Sequence, residues 1–170
     1  GKGELQVRMD YRPLKDGLQL IPKVGMRMRI PAEYSQVSWY GRGPHENYPD
    51  RKSGYFIGQY SMPLDEFIFD YASPQDNANR CDTRWFSLGN GPRDIEIHGL
   101  QELNFRAWPY GEEDLEGSAH PFDIPARDFI NVNIDFKIHG VGGNDGWGAR
   151  TMDAYTIDPA QPYSFGFIIR

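Results

Sequence analysis

An all-β, antiparallel sandwich is the fold class that this sequence predicts, and three observations predict it. Short apolar or alternating stretches recur along the chain, Gly, Pro and Asp punctuate them, and helical periodicity hardly appears.

Taken in order, Leu5 to Met9 and Leu18 to Pro22 alternate or run apolar between turn formers, with Asp16-Gly17 between them as a tight hairpin turn. Lys23 to Ile30 sets Val24, Met26, Met28 and Ile30 on one face and Lys23, Arg27 and Arg29 on the other, the period of two of a half-buried strand. Val37 to Tyr40, Trp85 to Leu88, Ile95 to Gly99, Leu103 to Trp108, Val132 to His139 and Tyr163 to Ile169 read as further strands. The one expected helical turn lies around Ile124 to Phe129, where Pro125 suits a first helical position. No repeat, linker or low-complexity segment divides the chain, so residues 1–170 are expected to form a single domain.

Bulk properties exclude several function classes. The 18 basic and 24 acidic residues leave a net charge of −6, and no Lys/Arg stripe suits nucleic acid. No apolar run approaches the roughly 20 residues that cross a bilayer, so neither nucleic acid nor membrane is an expected partner. No leader-like segment is read; with a chain that starts on Gly1, that decides nothing about compartment. The lone Cys81 has no partner for an internal disulfide and reads as a small buried filler, since no Cys–His–Asn arrangement accompanies it. His45, His98, His120 and His139 lack the spacing of a zinc site, and no metal ligand is assigned. The acidic run within Trp108 to Pro121 reads as a solvated loop, with a calcium site through Glu112 to Glu116 as the lesser alternative.

Chemistry concentrates in three segments. The run Trp39-Tyr40-Gly41-Arg42-Gly43-Pro44-His45-Glu46-Asn47-Tyr48-Pro49-Asp50-Arg51 packs turn formers, aromatics and charges between strand-like stretches. Glu46, Asn47, Asp50 and Arg51 suit caps, turn hydrogen bonds and an ion pair that brace a loop. Bracing is the preferred reading; a sugar-facing role for Arg42, His45 and Glu46, with Tyr48 beside them, is the alternative. Arg80, Thr83 and Arg84 follow, with Asp50, Asp76 and Asp82 as candidate carboxylate partners for the arginine forks. The loop Gly140-Val141-Gly142-Gly143-Asn144-Asp145-Gly146-Trp147-Gly148 places one large aromatic among five glycines, which permit positive φ and close backbone approach.

These segments resemble, in order, the signatures of the carboxy-terminal or small-chain domain of the large bacterial β-galactosidases. WYGRGPHENYPDR is similar to W-x-G-x-G-P-x-E-N-Y-x-D-R; Pro63-Leu64 follows; PQDNANRCDTR (Pro74 to Arg84) is similar to P-x-E-N-x-x-R-C-x-T-R; and GVGGNDGW is similar to G-x-G-G-x-D-S-W. The chain departs from that pattern at Gly146, where the family commonly has Ser, and at Asn144, where it commonly has Asp. The resemblance implies a galactose-mutarotase-like supersandwich, here partial, with its leading strands missing and an edge exposed to self-association.

The resemblance also implies a function. Family members hydrolyse terminal β-galactosides such as lactose with retention, using two glutamates about 5 Å apart on a separate barrel domain, so no catalytic residue is expected in this chain. The expected substrate-binding residues are Trp147, as a flat platform for the sugar beyond the galactose, with Asn144 and Asp145 beside it. Expected partners are a galactoside, the remaining domains of the parent enzyme, and further copies in a homo-oligomer. No cofactor is expected here; the Mg and Na ions of such enzymes belong to other domains. Cytoplasmic and periplasmic placement both stay open. The competing readings are an independent carbohydrate-binding module, which Trp39, Trp85, Trp108 and Tyr110 exposed together would support; a purely structural domain, which burial of Trp147 would favour; and an aldose epimerase, which needs a His and a Glu converging in one pocket.

Overall fold

The computed structural model describes residues 3–15 and 17–170, so the expected Asp16–Gly17 turn lies partly outside the described residues. Eight antiparallel strands dominate: β1 (Leu5–Tyr11), β2 (Lys23–Pro31), β3 (Gln36–Gly43), β4 (Phe56–Pro63), β5 (Arg80–Gly89), β6 (Asp94–Trp108), β7 (Phe129–Ile138) and β8 (Tyr163–Ile169). Two short helices, α1 (Leu64–Phe67) and α2 (Glu112–Gly117), interrupt them. The all-β antiparallel class is the one expected.

Every strand joins one hydrogen-bonded network in the order β1-β8-β6-β5-β3-β4, with β7 and then β2 branching from β6. The branch has a simple cause. β6 is long enough to serve two neighbours on one edge, giving Ile97–Gly99 to β8 and Asn104–Trp108 to β7, while β5 runs along its other edge. The two arms meet again on their apolar face, where Phe136 of β7 stacks on Phe165 of β8 with ring centroids 5.8 Å apart.

The core forms on that face because strand periodicity delivers one residue in two to it. Val24 and Ile30 of β2, Ile130, Val132 and Ile134 of β7, Phe105 and Ala107 of β6, Phe86 and Leu88 of β5, and Val37 and Trp39 of β3 are all buried. α1 adds Phe67, which meets Trp39 edge-on at 5.4 Å and Phe105 at 5.4 Å. The opposite face of β7 is buried too, but polar: Asn131, Asn133 and Asp135 lie under α2 beside Arg106 of β6.

Four local expectations are corrected. Leu18 to Pro22 is not a strand; its tie to a strand end is Pro22 O accepting from His139 N at 2.8 Å. Ile95–Gly99 and Leu103–Trp108 are one strand, because Gly99 lets the chain bulge close to Gln101 without a break. Ile124 to Phe129 is not helical; a 3-10 turn at Pro121–Asp123 precedes it. The acidic run is not a free loop either. Its first two α2 carboxylates are clipped to the sheet, Glu112 to Lys23, Arg27 and Asn133 and Glu113 to Arg29, while Asp114 holds Arg127 in the segment before β7.

Candidate functional site

The end of β3 delivers the first motif into a turn that folds back over β5. Its side chains are largely consumed by structure. Glu46 Oε2 accepts from Ala78 N at 2.7 Å, and Oε1 accepts from Arg51 at 2.5 Å and from the Tyr71 hydroxyl. Asn47 and Asn79 are clasped: Asn47 N donates to Asn79 O at 2.8 Å, Asn79 Nδ2 returns to Asn47 O at 2.7 Å, and Asn47 Oδ1 accepts from Cys81 N at 2.9 Å. The Ala78 backbone is left-handed at φ 66°, a strained conformation for alanine; the bond to Glu46 holds it there.

Tyr48 is fully buried and donates to Asp76 at 2.7 Å, while Arg106 grips the other Asp76 oxygen. Burial, reinforced by the negative charges of Asp76 and Glu46, pushes the Tyr48 phenol far above its ordinary range, so it stays a donor. Arg42 bonds Asp82 and the carbonyls of Lys52 and Tyr55. Burial pushes the Asp82 carboxyl up, but hydrogen bonds from Lys52 and Arg42 outweigh it and hold it low.

Two arginines of the second motif behave differently from each other. Arg84 pairs with Glu102 near the surface. Arg80 is 1% exposed and, contrary to expectation, pairs with no carboxylate among the described residues: it donates to the carbonyls of Ala78, Asn79 and Phe67 and lies over the Trp39 and Phe67 rings. Burial lowers its pKa, opposed by the negative charge of Glu46. Cys81 is buried as expected, and burial raises its thiol to about 12, which removes it as a nucleophile. His45 and Glu46 do line one surface cleft of about 400 Å³, together with Arg51, Tyr55, Tyr71 and Phe69. Glu46 is already engaged there by Ala78 N, Arg51 and the Tyr71 hydroxyl.

The glycine loop is built on the opposite plan. Trp147 is 95% exposed. Its loop leaves β7 after Ile138, and positive φ at Gly142 (69°), Gly143 (81°) and Gly148 (87°) sets a path that side-chain-bearing residues rarely adopt. Asp145 folds the tip by accepting from Trp147 N at 2.8 Å and Ala149 N at 3.1 Å, and these bonds hold its carboxyl below the usual range. Thr151 closes the base onto Gly140 O at 3.1 Å, and Gly140 N donates to Tyr155 O at 2.8 Å. Asn144 is exposed beside the tip.

Among the described residues, the hydrogen bonds from the first motif to this loop come from Asp50. Asp50 accepts from Val141 N at 3.1 Å through Oδ1 and from Gly142 N at 2.7 Å through Oδ2. The approach is so close that a Cβ at Gly140 would sit 2.7 Å from the Asp50 carboxyl. Sequence reasoning named both partners and missed the contact, because 91 residues separate Asp50 from Val141. It missed Arg106 and Tyr71 altogether; Arg106 sits in an ordinary strand pattern, and nothing local marks it as buried.

The aromatic face that would support an independent carbohydrate module is not assembled. Trp39, Trp108 and Tyr110 are buried, and Trp85 is only partly exposed beside His98.

Comparison with known proteins places these features in a family context. The model of the β-galactosidase small chain matches residues 1–169. β-Galactosidases of Priestia megaterium and Halalkalibacterium halodurans are each 34% identical over 99% and 98% of this chain, and that of Vibrio cholerae is 36% identical over 96%. The chain covers 16%, 17% and 15% of those relatives' own lengths, so it spans about one sixth of the curated proteins it matches.

Proposed function

The chain belongs to the β-galactosidase small-chain family, and on that premise we propose that it is a non-catalytic β-sandwich domain that completes the galactoside site of a larger β-galactosidase through Trp147. The observation that carries this reading is the exposure of Trp147 on a loop whose backbone is fixed on both sides of it. Leaving an indole in water forgoes about 2–3 kcal/mol of burial, a cost that a core residue does not bear. An aromatic held out rigidly is suited to meet another surface, and the C–H face of a sugar is one such surface. Asn144 and Asp145 flank it, Asp145 by shaping the loop.

The rest of the division of labour follows from length. A chain that spans a sixth of its relatives leaves the remaining domains to supply the two glutamates, any Mg or Na ions, and the galactose pocket. The outer strand β4, with Phe56 and Ile57 exposed, is where those domains or a second copy are proposed to seat.

A fluorescence titration of the chain with galactose and lactose tests the composite site. No saturable change up to ~50 mM is expected, since one indole face supplies less than the roughly 4 kcal/mol of millimolar binding. Saturable binding abolished by Trp147→Ala would replace this reading with an autonomous sugar site.

A further inference from the structure

We infer that Asp50 is the residue that positions Trp147, so that the first motif governs the sugar platform without touching sugar. The inference rests on the platform reading above and adds what sets the platform's place. The glycine loop carries three left-handed glycines, whose backbone has more accessible conformations than any other residue's. Something must select one of them. Asp145 fixes the tip onto itself, and Thr151 ties the loop to its own root, but neither connects the loop to the rigid body of the sheet on the side of the first motif. Asp50 does: one carboxylate receives two consecutive backbone N–H groups, from Val141 and from Gly142, the first residue of the left-handed turn. Charge-assisted bonds of this kind are about twice as strong as neutral ones.

Asp50 is itself placed by the buried knot. It follows Tyr48 by two residues and precedes Arg51, whose N–H donates to Tyr48 O at 2.9 Å while its guanidinium holds Glu46. The Tyr48 hydroxyl is anchored on Asp76. A continuous path therefore runs from Arg106 through Asp76, Tyr48 and Asp50 to Gly142. Gly140 fits the same logic, because any side chain there would displace the carboxylate.

Two measurements test this, and they fail separately. In the chain labelled with 5-fluorotryptophan, the fluorine line of Trp147 is identified by its loss in Trp147→Phe. Asp50→Ala is expected to narrow that line toward the width of free tryptophan, with the three other lines unchanged; Asp50→Asn, which keeps one acceptor, is expected to fall between. An unchanged Trp147 line width in Asp50→Ala overturns the inference, whatever Trp147 does for sugar.

The second uses a chimera in which this chain replaces the matching segment of the Priestia megaterium β-galactosidase. Asp50→Ala and Trp147→Ala are each expected to raise KM for lactose about 10-fold, the equivalent of 1.4 kcal/mol, and the double variant no further, since both remove one contact. Additive losses overturn the inference. A silent Trp147→Ala alongside a narrowed fluorine line in Asp50→Ala would instead overturn the platform reading and leave the positioning role of Asp50 intact.

Discussion

The knot around Glu46, Asn47 and Tyr48 and the loop around Trp147 are both dense in glycine, aromatic and polar residues, yet they are stabilised in opposite ways. In the knot nearly every polar atom is spent on another part of the same fold, and the aromatic is fully buried. In the loop the tip's polar side chain shapes its own backbone, Asp50 ties the loop's start to the knot, and the aromatic is left outside. The difference teaches that motif density does not separate frame from function. What separates them is where the hydrogen bonds end.

The comparison breaks most severely at Arg106. It is 1% exposed, grips Asp76, and stands near Glu112 and Asp135. Arg106→Ala is expected to destabilise the domain by about 3–5 kcal/mol, from leaving the buried Asp135 charge uncompensated, Asp76 without its partner and the space over Trp108 unfilled, measured as a lowered urea midpoint. A change below about 1 kcal/mol would show that the knot is not held from this side. Asn47→Ala is expected to cost about 2–3 kcal/mol, because the buried Cys81 N–H loses its acceptor and the His45 carbonyl its donor.

Asp135 gives a sharper prediction with a sign. Burial raises its carboxyl from 3.8 to about 6, opposed by Arg106 and Lys23 and reinforced by Asp76 and Glu112. The folded state therefore binds this proton more tightly than the unfolded chain. The stability it contributes is full below about pH 4 and is lost as pH rises through 6. Asp135→Asn is expected to raise stability by about 1–3 kcal/mol at pH 7 and to change little near pH 4. Loss of stability at pH 7 would mean that Arg106 depends on this charge. The smallest effect belongs to the loop: Trp147→Ala is expected to shift unfolding by less than about 0.5 kcal/mol, as for an exposed side chain. A Tm drop comparable to that of Asn47→Ala would mean that Trp147 supports the fold.

Much of the fold was legible because period-two alternation is a local signal. β2 shows it plainly: the expected face of Val24, Met26, Met28 and Ile30 packs on the core, and Arg27 and Arg29 on the other face reach Glu112 and Glu113. β4 escaped notice because Phe56 and Ile57 are exposed together at a sheet edge and Gly58 interrupts the pattern. β7 read as an ordinary strand although both its faces are buried, since asparagines usually mark the solvent side. At the site, the bracing role of Glu46, Asn47 and Arg51 was open to a local reading. The carbonyl-and-aromatic cage of Arg80 and the bond from Asp50 to Gly142 were not, because each joins segments that only the folded sheet brings together.

The most direct test of the central claim is the kinetics of the chimeric β-galactosidase with Trp147 intact and replaced by Ala. The account predicts an unchanged unfolding temperature and a KM for lactose raised about 10-fold, as a lost platform contact of about 1.4 kcal/mol requires. Identical KM and kcat in the two proteins would contradict it and leave this domain a purely structural part of its enzyme.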